Sequence, residues 1–203
     1  MSDLFDLTGK VALITGSSKG IGRAIAERMA DFGAKVVVSS RKGDVCEEVA
    51  AGINANGGTA IAVPCNINYK EQLEQLVNAT KAAYGQIDIL VCNAAVNPYF
   101  GPMQDIPDSA FEKILGSNIQ SNHWLCQMTI PEMAARKDGV VIIISSVGGI
   151  KGSKELGAYC ISKAADMQMA RNLAVEWGPS NIRVNAIAPG LIKTEFARAL
   201  WES

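Results

Sequence analysis

The chain has 203 residues, of which 48% are hydrophobic and 19% charged, and its formal net charge is −1. This composition is typical of a soluble domain that buries a core, and it argues against a disordered chain. The small net charge provides no field that would hold nucleic acid or an anionic membrane, so any anionic ligand has to be bound by a local site.

Targeting and cysteine patterns exclude further classes. The acidic N-terminus MSDLFDLTGK does not fit a secretory signal, and no apolar run approaches the roughly 20 residues that a membrane span needs. The five cysteines form no CxxC pair, which argues against a disulfide framework and against a metal site. We therefore expect a cytoplasmic protein with a small-molecule partner, bound neither to nucleic acid nor to a membrane.

Short apolar runs rich in β-branched residues alternate with helical patterns along the chain. The strand-like runs are Val11–Thr15, Lys35–Ser39, Thr59–Val63, Ile87–Cys92, Val140–Ile144 and Ile182–Ala186. The helical stretches are Ile21–Phe32, Val45–Ala55, Lys70–Tyr84, Ser109–Arg136 and Gly157–Trp177. Runs that are apolar on both faces predict strands of a parallel sheet, and the helices provide the crossovers between them.

The alternation predicts an α/β fold of the three-layer, doubly wound Rossmann type, with a mainly parallel sheet in a single domain over residues 1–203. A last helical pattern begins at Thr194–Trp201 and stops at Ser203. We therefore expect that the C-terminal part of the fold is missing from this sequence.

A glycine-rich loop follows the first predicted strand and leads directly into a helix. Gly16, Gly20 and Gly22 allow the backbone to turn sharply and to approach a diphosphate, which then faces the helix N-terminus. A purely structural turn has the same spacing, but the position after the first strand favours a dinucleotide site.

The residues after the second predicted strand indicate which nucleotide is bound. The segment Ser40-Arg41-Lys42 has cations where an acidic side chain would bind free ribose hydroxyls, and Lys19 adds a cation within the glycine loop. Guanidinium and ammonium groups bind phosphate, so we expect NADP(H). The alternative is that Arg41 and Lys42 are a solvated strand end.

Tyr159 and Lys163 are four residues apart in a predicted helix and therefore share one of its faces. A neighbouring ammonium stabilises the phenolate and lowers the phenol pKa from about 10 towards the range of proton exchange at neutral pH. Such pairs also occur on exposed helices. The context favours catalysis, because Ser145 and Ser146 follow a predicted strand at the carboxyl edge of the sheet, where α/β proteins bind ligands.

From Thr8 through Phe196, these motifs resemble in order and spacing those of the short-chain dehydrogenase/reductase family. The loop Thr15-Gly-Ser-Ser-Lys-Gly-Ile-Gly22 resembles the family's TGxxxGIG, and Tyr159-Cys-Ile-Ser-Lys163 resembles its YxxxK. The resemblance implies an oxidoreductase that binds a nicotinamide dinucleotide and acts on a small-molecule carbonyl or alcohol.

By that resemblance, the catalytic residues are Asn118, Ser146, Tyr159 and Lys163. Tyr159 is the general acid/base, Lys163 holds the nicotinamide ribose and lowers the tyrosine pKa, and Ser146 orients the carbonyl oxygen. Asn118 holds a water of the proton relay. Ser145 is the alternative to Ser146, and Asn118 is otherwise a polar residue within a helix.

Further segments resemble the family's cofactor site. Cys92-Asn-Ala-Ala95 is similar to its NNAG turn, and Asn185-Ala-Ile-Ala-Pro-Gly190 to its NxxxPG segment. Asn66 stands where the family usually has an aspartate beside adenine, and its amide oxygen can still accept a hydrogen bond. The cofactor-binding residues implied are Gly16, Ser18, Lys19, Gly20, Ile21, Gly22, Ser40, Arg41, Asn66, Ile67, Asn93, Ala94, Ala95, Tyr159, Lys163, Pro189, Gly190, Ile192 and Thr194.

Within the family, residues 93–101 and 188–196 look like those of NADP-dependent retinal and carbonyl reductases and their bacterial relatives, which makes Asn97, Tyr99 and Phe100 candidates for the pocket wall. We predict hydride transfer between NADP(H) and a carbonyl or secondary alcohol. The alternatives are a 3-oxoacyl-thioester reductase that acts on an acyl carrier protein and a truncated nucleotide-binding protein without turnover. The resemblance also implies a homodimer or homotetramer.

Overall fold

The structure is a computed structural model that describes residues 3–201. Six parallel strands form one sheet in the order β3-β2-β1-β4-β5-β6. The strands are β1 (Val11–Thr15), β2 (Lys35–Ser39), β3 (Thr59–Ala62), β4 (Ile89–Cys92), β5 (Gly139–Ile144) and β6 (Ile182–Ile187). This order and the parallel pairing confirm the predicted single-domain Rossmann fold.

Six α-helices connect and cover the strands. They are α1 (Gly20–Asp31), α2 (Gly43–Ala55), α3 (Lys70–Tyr84), α4 (Asp108–Leu115), α5 (Ser121–Arg136) and α6 (Gly157–Trp177). Short 3₁₀ turns cover Asp3–Phe5, Met103–Asp105, Val147–Gly149, Gly178–Ser180 and Glu195–Leu200. The last of these occupies the helical pattern predicted near the end of the sequence.

Two hydrophobic cores lie on opposite faces of the sheet. On one face, Leu13 of β1 belongs to the core that α3, α5 and α6 complete. On the other face, the neighbouring Ala12 and Ile14 belong to the core formed with α1 and α2. Successive strand residues point to opposite faces, so a strand buried on both sides has to be apolar throughout. Full burial of a side chain such as Leu13 contributes about 1.5–3 kcal/mol.

One predicted element differs in a way that matters for the site. The sequence pattern predicts a single helix over Ser109–Arg136, whereas the structure has α4 and α5 joined by a π-helical turn, Gly116–Gln120. A π-helical turn contains one residue more than an α-helical turn. The apolar periodicity continues across it, so the sequence pattern does not reveal the insertion. Single π turns within helices are frequent at functional sites, and this one contains Asn118.

The start of β4 also differs slightly. The strand was expected from Ile87, but its ladder begins at Ile89. The Asp88 carboxylate accepts a hydrogen bond from the Val11 backbone N–H at 2.8 Å, and the Ile87 carbonyl accepts one from Arg136 at 2.9 Å. The Asp88 backbone still bonds to both neighbouring strands, donating to the Val11 carbonyl at 3.0 Å and accepting from the Val140 N–H at 2.9 Å.

Candidate active site

A cavity of about 510 Å³ opens at the carboxyl edge of the sheet, where β1 and β4 are neighbours and the strand order reverses. Open α/β sheets bind ligands at this place. Every cofactor-binding residue named from the sequence lines the cavity, as do Ser145 and Ser146. The lining also includes residues outside that set: Lys42, Val45, Cys65, Asn68, Val96, Ile144, Leu191, Glu195, Phe196 and Ala197.

The glycine loop between β1 and α1 is shaped by close approach to Asn93. The Asn93 amide donates to the carbonyls of Thr15 at 2.8 Å and of Gly16 at 3.1 Å, and Gly16 has a φ of +66°. A Cβ atom at Gly22 would overlap both the Asn93 amide nitrogen and the Gly16 carbonyl. Only glycine therefore fits at position 22 without moving the Asn93 side chain.

The N-terminus of α1 has the properties of an anion site. Its first residue is Gly20, and the preceding residue, Lys19, forms no side-chain cap. The first N–H groups of a helix have no partner within it and carry a partial positive charge. These groups lie at the cavity and suit the diphosphate of a dinucleotide.

Three cationic side chains line the cavity near the end of β2: Lys19, Arg41 and Lys42. All three are exposed, and no ion pair among residues 3–201 includes any of them. The one carboxylate among the described lining residues is that of Glu195. This end of the cavity can therefore receive a phosphate without displacing a bound carboxylate.

The segment after β3 is held in place by its own hydrogen bonds. The Asn66 backbone N–H donates to Gln72 at 2.7 Å, and its side-chain oxygen accepts from the Asn68 N–H at 3.2 Å. Ile67 is buried in the sheet core that it shares with Cys65. The backbone around Asn66 is thus fixed where it lines the cavity, as an adenine site requires.

Tyr159, Ser146 and Lys163 meet at the other end of the cavity. The Lys163 ammonium lies 5.8 Å from the centre of the Tyr159 ring. The Ser146 hydroxyl lies near the Tyr159 phenol and favours its ionised form, and it accepts a hydrogen bond from the Gly148 N–H at 3.0 Å. Ser145 differs, because its hydroxyl donates to the Lys163 carbonyl at 2.6 Å and so faces α6. Of the two serines, Ser146 is the one that contacts the phenol.

The pKa of Tyr159 is raised from its ordinary value, chiefly because burial disfavours the phenolate. The Ser146 hydroxyl opposes this shift, and the negative charge of Asp166 adds to it. The sequence predicted a lowered pKa beside Lys163. The net shift of the Tyr159 pKa has the opposite direction chiefly because the phenol is buried.

Asn118 lies behind the cavity and is fully buried. Its side-chain oxygen accepts from the Val96 N–H at 2.8 Å, and its amide donates to the Val96 carbonyl and to Ser162, each at 3.0 Å. Asn118 therefore braces the segment after β4 against α6. The Asn118 backbone carbonyl accepts a hydrogen bond from the Asn122 side chain at 2.7 Å.

Apolar and aromatic side chains surround the approach to Tyr159. Phe196 stands 6.1 Å from Tyr159 between ring centres, in a tilted arrangement. Asn97 and Tyr99 line a small cleft beside Tyr159, whereas Phe100, the third candidate, is half-exposed and outside both the cleft and the main cavity. The Asn97 side-chain oxygen is buried and has no hydrogen-bond partner in the described part of the chain.

Sequence reasoning missed three residues of this site: Asp166, Asn122 and Phe196. Asp166 follows Lys163 by three residues, a helical spacing that places the two on one face and that a search for ion pairs would have found. Asn122 follows Asn118 by four. Phe196 had no comparable signal, because its approach to Tyr159 depends on how the chain after β6 folds back.

Residues 3–201 contain no group of three or more histidine, cysteine or carboxylate side chains placed to hold a metal ion. Within that same range, no helix is both long and apolar enough to cross a membrane. His123, the single histidine, is exposed on α5.

Comparison with known proteins identifies the family to which the chain belongs. The family model described as short chain dehydrogenase matches residues 10–203. Dehydrogenase/reductase SDR family member 4 of Sus scrofa is 45% identical over 195 residues, which are 96% of this chain and 70% of that protein.

Two solved structures show the same fold over nearly the whole chain. A short-chain type dehydrogenase/reductase from Mycobacterium marinum has a TM-score of 0.93 at 35% identity, covering 98% of this chain and 80% of that one. A 7α-hydroxysteroid dehydrogenase complexed with NADH and 7-oxo glycochenodeoxycholic acid has a TM-score of 0.94 at 37% identity, covering 98% and 77%. The chain therefore belongs to the short-chain dehydrogenase/reductase family, whose members are oxidoreductases that use NAD(P)(H).

Proposed function

We propose that this protein is an NADP(H)-dependent reductase of ketones or aldehydes, with the reverse oxidation of secondary alcohols. The observation that carries the proposal is the layout of one cavity, which has unpaired cations at one end and the Tyr159 phenol at the other. The residues present fit a dinucleotide, because the glycine loop and the N-terminus of α1 lie between these two ends. Residues 1–203 form the domain that carries both the cofactor site and the catalytic site.

The choice of NADP(H) rests on charge. Lys19 and Arg41 line the cavity near the end of β2, where NAD-binding sites of this fold carry an acidic residue for the ribose hydroxyls. Ser40 occupies the position at the strand end, and its hydroxyl contacts the Cys46 thiol at 3.1 Å. The related hydroxysteroid dehydrogenase is complexed with NADH, so the cations, and not the family, support the 2′-phosphate.

When bound, the nicotinamide supplies the hydride for reduction and accepts it in the reverse direction. Tyr159 donates its phenolic proton to the substrate oxygen during reduction, and Ser146 orients that oxygen by hydrogen bonding. The raised pKa of Tyr159 keeps the phenol protonated at neutral pH, which suits the acid of a reductase. Lys163 holds the nicotinamide ribose, and Asn118 keeps the site rigid from behind and holds the water of the proton relay.

Substrate turnover tests this function. Purified protein is assayed with a panel of ketones and aldehydes and with a 3-oxoacyl thioester of acyl carrier protein, each with NADPH and with NADH. We expect turnover of free carbonyls and a preference for NADPH. A strong preference for the carrier thioester would identify the protein as a 3-oxoacyl-thioester reductase. Tight NADPH binding without any turnover would identify a nucleotide-binding protein.

Assembly and location belong to the same proposal. The α6 surface exposes Ile161 and Val175, which supports a homodimer or homotetramer that covers this helix. All five cysteines are free and buried, which suits the reducing environment of the cytoplasm. Analytical ultracentrifugation of the wild type and of Val175→Glu tests the assembly, and cell fractionation tests the location.

A further inference from the structure

A buried carboxylate, that of Asp166, lies behind Lys163 and has no part in the chemistry described so far. The Lys163 ammonium and the Asp166 carboxylate are 2.8 Å apart, with side chains 2% and 0% exposed. A lone charge in such surroundings is strongly unfavourable, so each of the two needs the other. The ion pair with Asp166 therefore offsets the cost of burying the Lys163 ammonium.

The hydrogen bonds of Lys163 fix the direction of its ammonium. An ammonium has three N–H donors. One donates to Asp166, and a second donates to the Ile144 carbonyl at the end of β5, at 2.9 Å. Since Lys163 also lines the cavity, the third donor is available to a ligand there.

Asp166 is itself anchored to the neighbouring helix. Its second oxygen accepts from the Asn122 amide at 3.0 Å, and the same amide donates to the Asn118 carbonyl at 2.7 Å. A continuous chain of hydrogen bonds thus runs from the π-helical turn through Asn122 and Asp166 to Lys163. All of these side chains are buried.

We propose that Asp166 is a positioning residue that holds the Lys163 ammonium in place behind Tyr159 and, through Asn122, ties it to the backbone at Asn118. This role rests on the proposed function, because it concerns the same proton-transfer site. It explains why two charges occupy the helix face beneath the cavity when apolar residues would pack there at less cost in desolvation.

The charge of Asp166 also acts on Tyr159. It disfavours the phenolate and so contributes to the raised pKa of Tyr159. Other titratable groups nearby are the thiol of Cys92 on β4, on which both charges act, the thiol of Cys126 on α5 next to Cys92, and the thiol of Cys160, which adds to the raised pKa of Tyr159. Hydrogen bonding with Cys126 and, to a lesser extent, burial raise the pKa of Cys92 well above its ordinary value, so Cys92 stays neutral at working pH. Removal of the Asp166 charge therefore lowers the Tyr159 pKa.

The test compares Asp166→Asn with Asp88→Asn. Asp88 is a suitable control because it is also a buried carboxylate, 3% exposed and near Arg136 at 3.6 Å, but it lies at the opposite, amino end of the sheet. In cofactor-free protein, ultraviolet titration of tyrosinate, taken as a difference against Tyr159→Phe, reports the Tyr159 pKa. We expect it to fall in Asp166→Asn and to stay unchanged in Asp88→Asn.

Steady-state kinetics provide the second measurement. Loss of a fixed ammonium misplaces the reacting groups, so we expect kcat in Asp166→Asn to fall roughly 10- to 100-fold, with a smaller change in the KM for NADPH. Asp88→Asn should keep kcat within about twofold of wild type, because Asp88 lies far from the reacting groups and distant sites act independently when the fold is intact. A wild-type kcat and an unshifted Tyr159 titration in Asp166→Asn would overturn the proposal, as would equal losses in both variants.

Asn122→Ala makes the same test if Asp166→Asn does not fold. It removes both amide hydrogen bonds but keeps the charge of Asp166, so we expect a lower kcat without a fall in the Tyr159 pKa. A wild-type kcat in Asn122→Ala would then contradict the proposal. Absence of carbonyl reduction in the wild type would reject the proposed function. The tyrosinate titration needs no turnover, so it would still test whether Asp166 acts on Tyr159.

Discussion

Removal of the cations at the end of β2 should weaken the binding of NADPH without weakening that of NADH. Lys19 and Arg41 line the cavity there, both are exposed, and neither has an ion-pair partner in the described chain. Their replacement therefore breaks no salt bridge of the protein itself. Any loss of affinity in Lys19→Ala or Arg41→Ala is then a loss of contact with the ligand.

The magnitude follows from the strength of hydrogen bonds to charged groups, about 1.5–3 kcal/mol each. Because both side chains are exposed and screened by solvent, the lower end of that range applies. At about 1.4 kcal/mol per tenfold change in Kd, each single variant should bind NADPH roughly tenfold more weakly. The double variant should lose roughly 100-fold if the two contacts are independent.

Fluorescence titration of NADPH and NADH at two salt concentrations measures both effects. The NADPH preference should shrink between about 0.01 M and about 0.15 M salt, because the Debye length falls from roughly 30 Å to roughly 8 Å. Arg183→Ala, which removes an exposed cation from β6 outside the cavity, is the matched control and should change neither Kd. Equal losses for both nucleotides, or a wild-type preference for NADH, would refute the reasoning.

Three further predictions concern other parts of the site. Ser146→Ala should lower kcat by about 10²-fold or more with cofactor binding retained, since a group that orients the reacting oxygen acts on the chemical step; Ser145→Ala is the comparison and should mainly lower the melting temperature. Gly22→Ala should weaken both nucleotides and cost about 1–3 kcal/mol of stability, measured by urea unfolding, because its Cβ overlaps the Asn93 side chain. Burial raises the pKa of Cys65 to about 11, so the folded state keeps a proton that the unfolded state loses above pH 9, and stability should fall from pH 9 to pH 11. The melting temperature should fall less steeply in Cys65→Ala, and an identical slope would contradict that assignment.

The fold was largely predictable because a strand that is buried on both faces of the sheet appears in the sequence as a continuous apolar run. Strand β1, for example, was expected at Val11–Thr15 and lies there. The π-helical turn at Gly116–Gln120 was not predicted, since one extra residue within a continuous helix hardly disturbs the apolar period. The turn is visible only in three dimensions, where it brings Asn118 against Val96 and α6.

The candidate site was predictable where its residues are close in sequence and less so where distant segments meet. The preference for Ser146 over Ser145 came from strand alternation and from family spacing, and the two side chains do diverge in the structure. The effect of Asp166 on Tyr159 was missed because it depends on burial, which spacing does not report. The aromatic contact of Phe196 depends on the path of the chain after β6 and has no local pattern.

The role of Tyr159 as the proton donor is the central claim, and Tyr159→Phe tests it most directly. The substitution keeps the ring and its contact with Phe196 but removes the hydroxyl that Ser146 contacts. General acid catalysis contributes about 10²- to 10⁴-fold, so carbonyl reduction with NADPH should fall by that factor while the Kd of NADPH stays within about twofold. A Tyr159→Phe protein that reduces carbonyls at the wild-type rate would contradict the account.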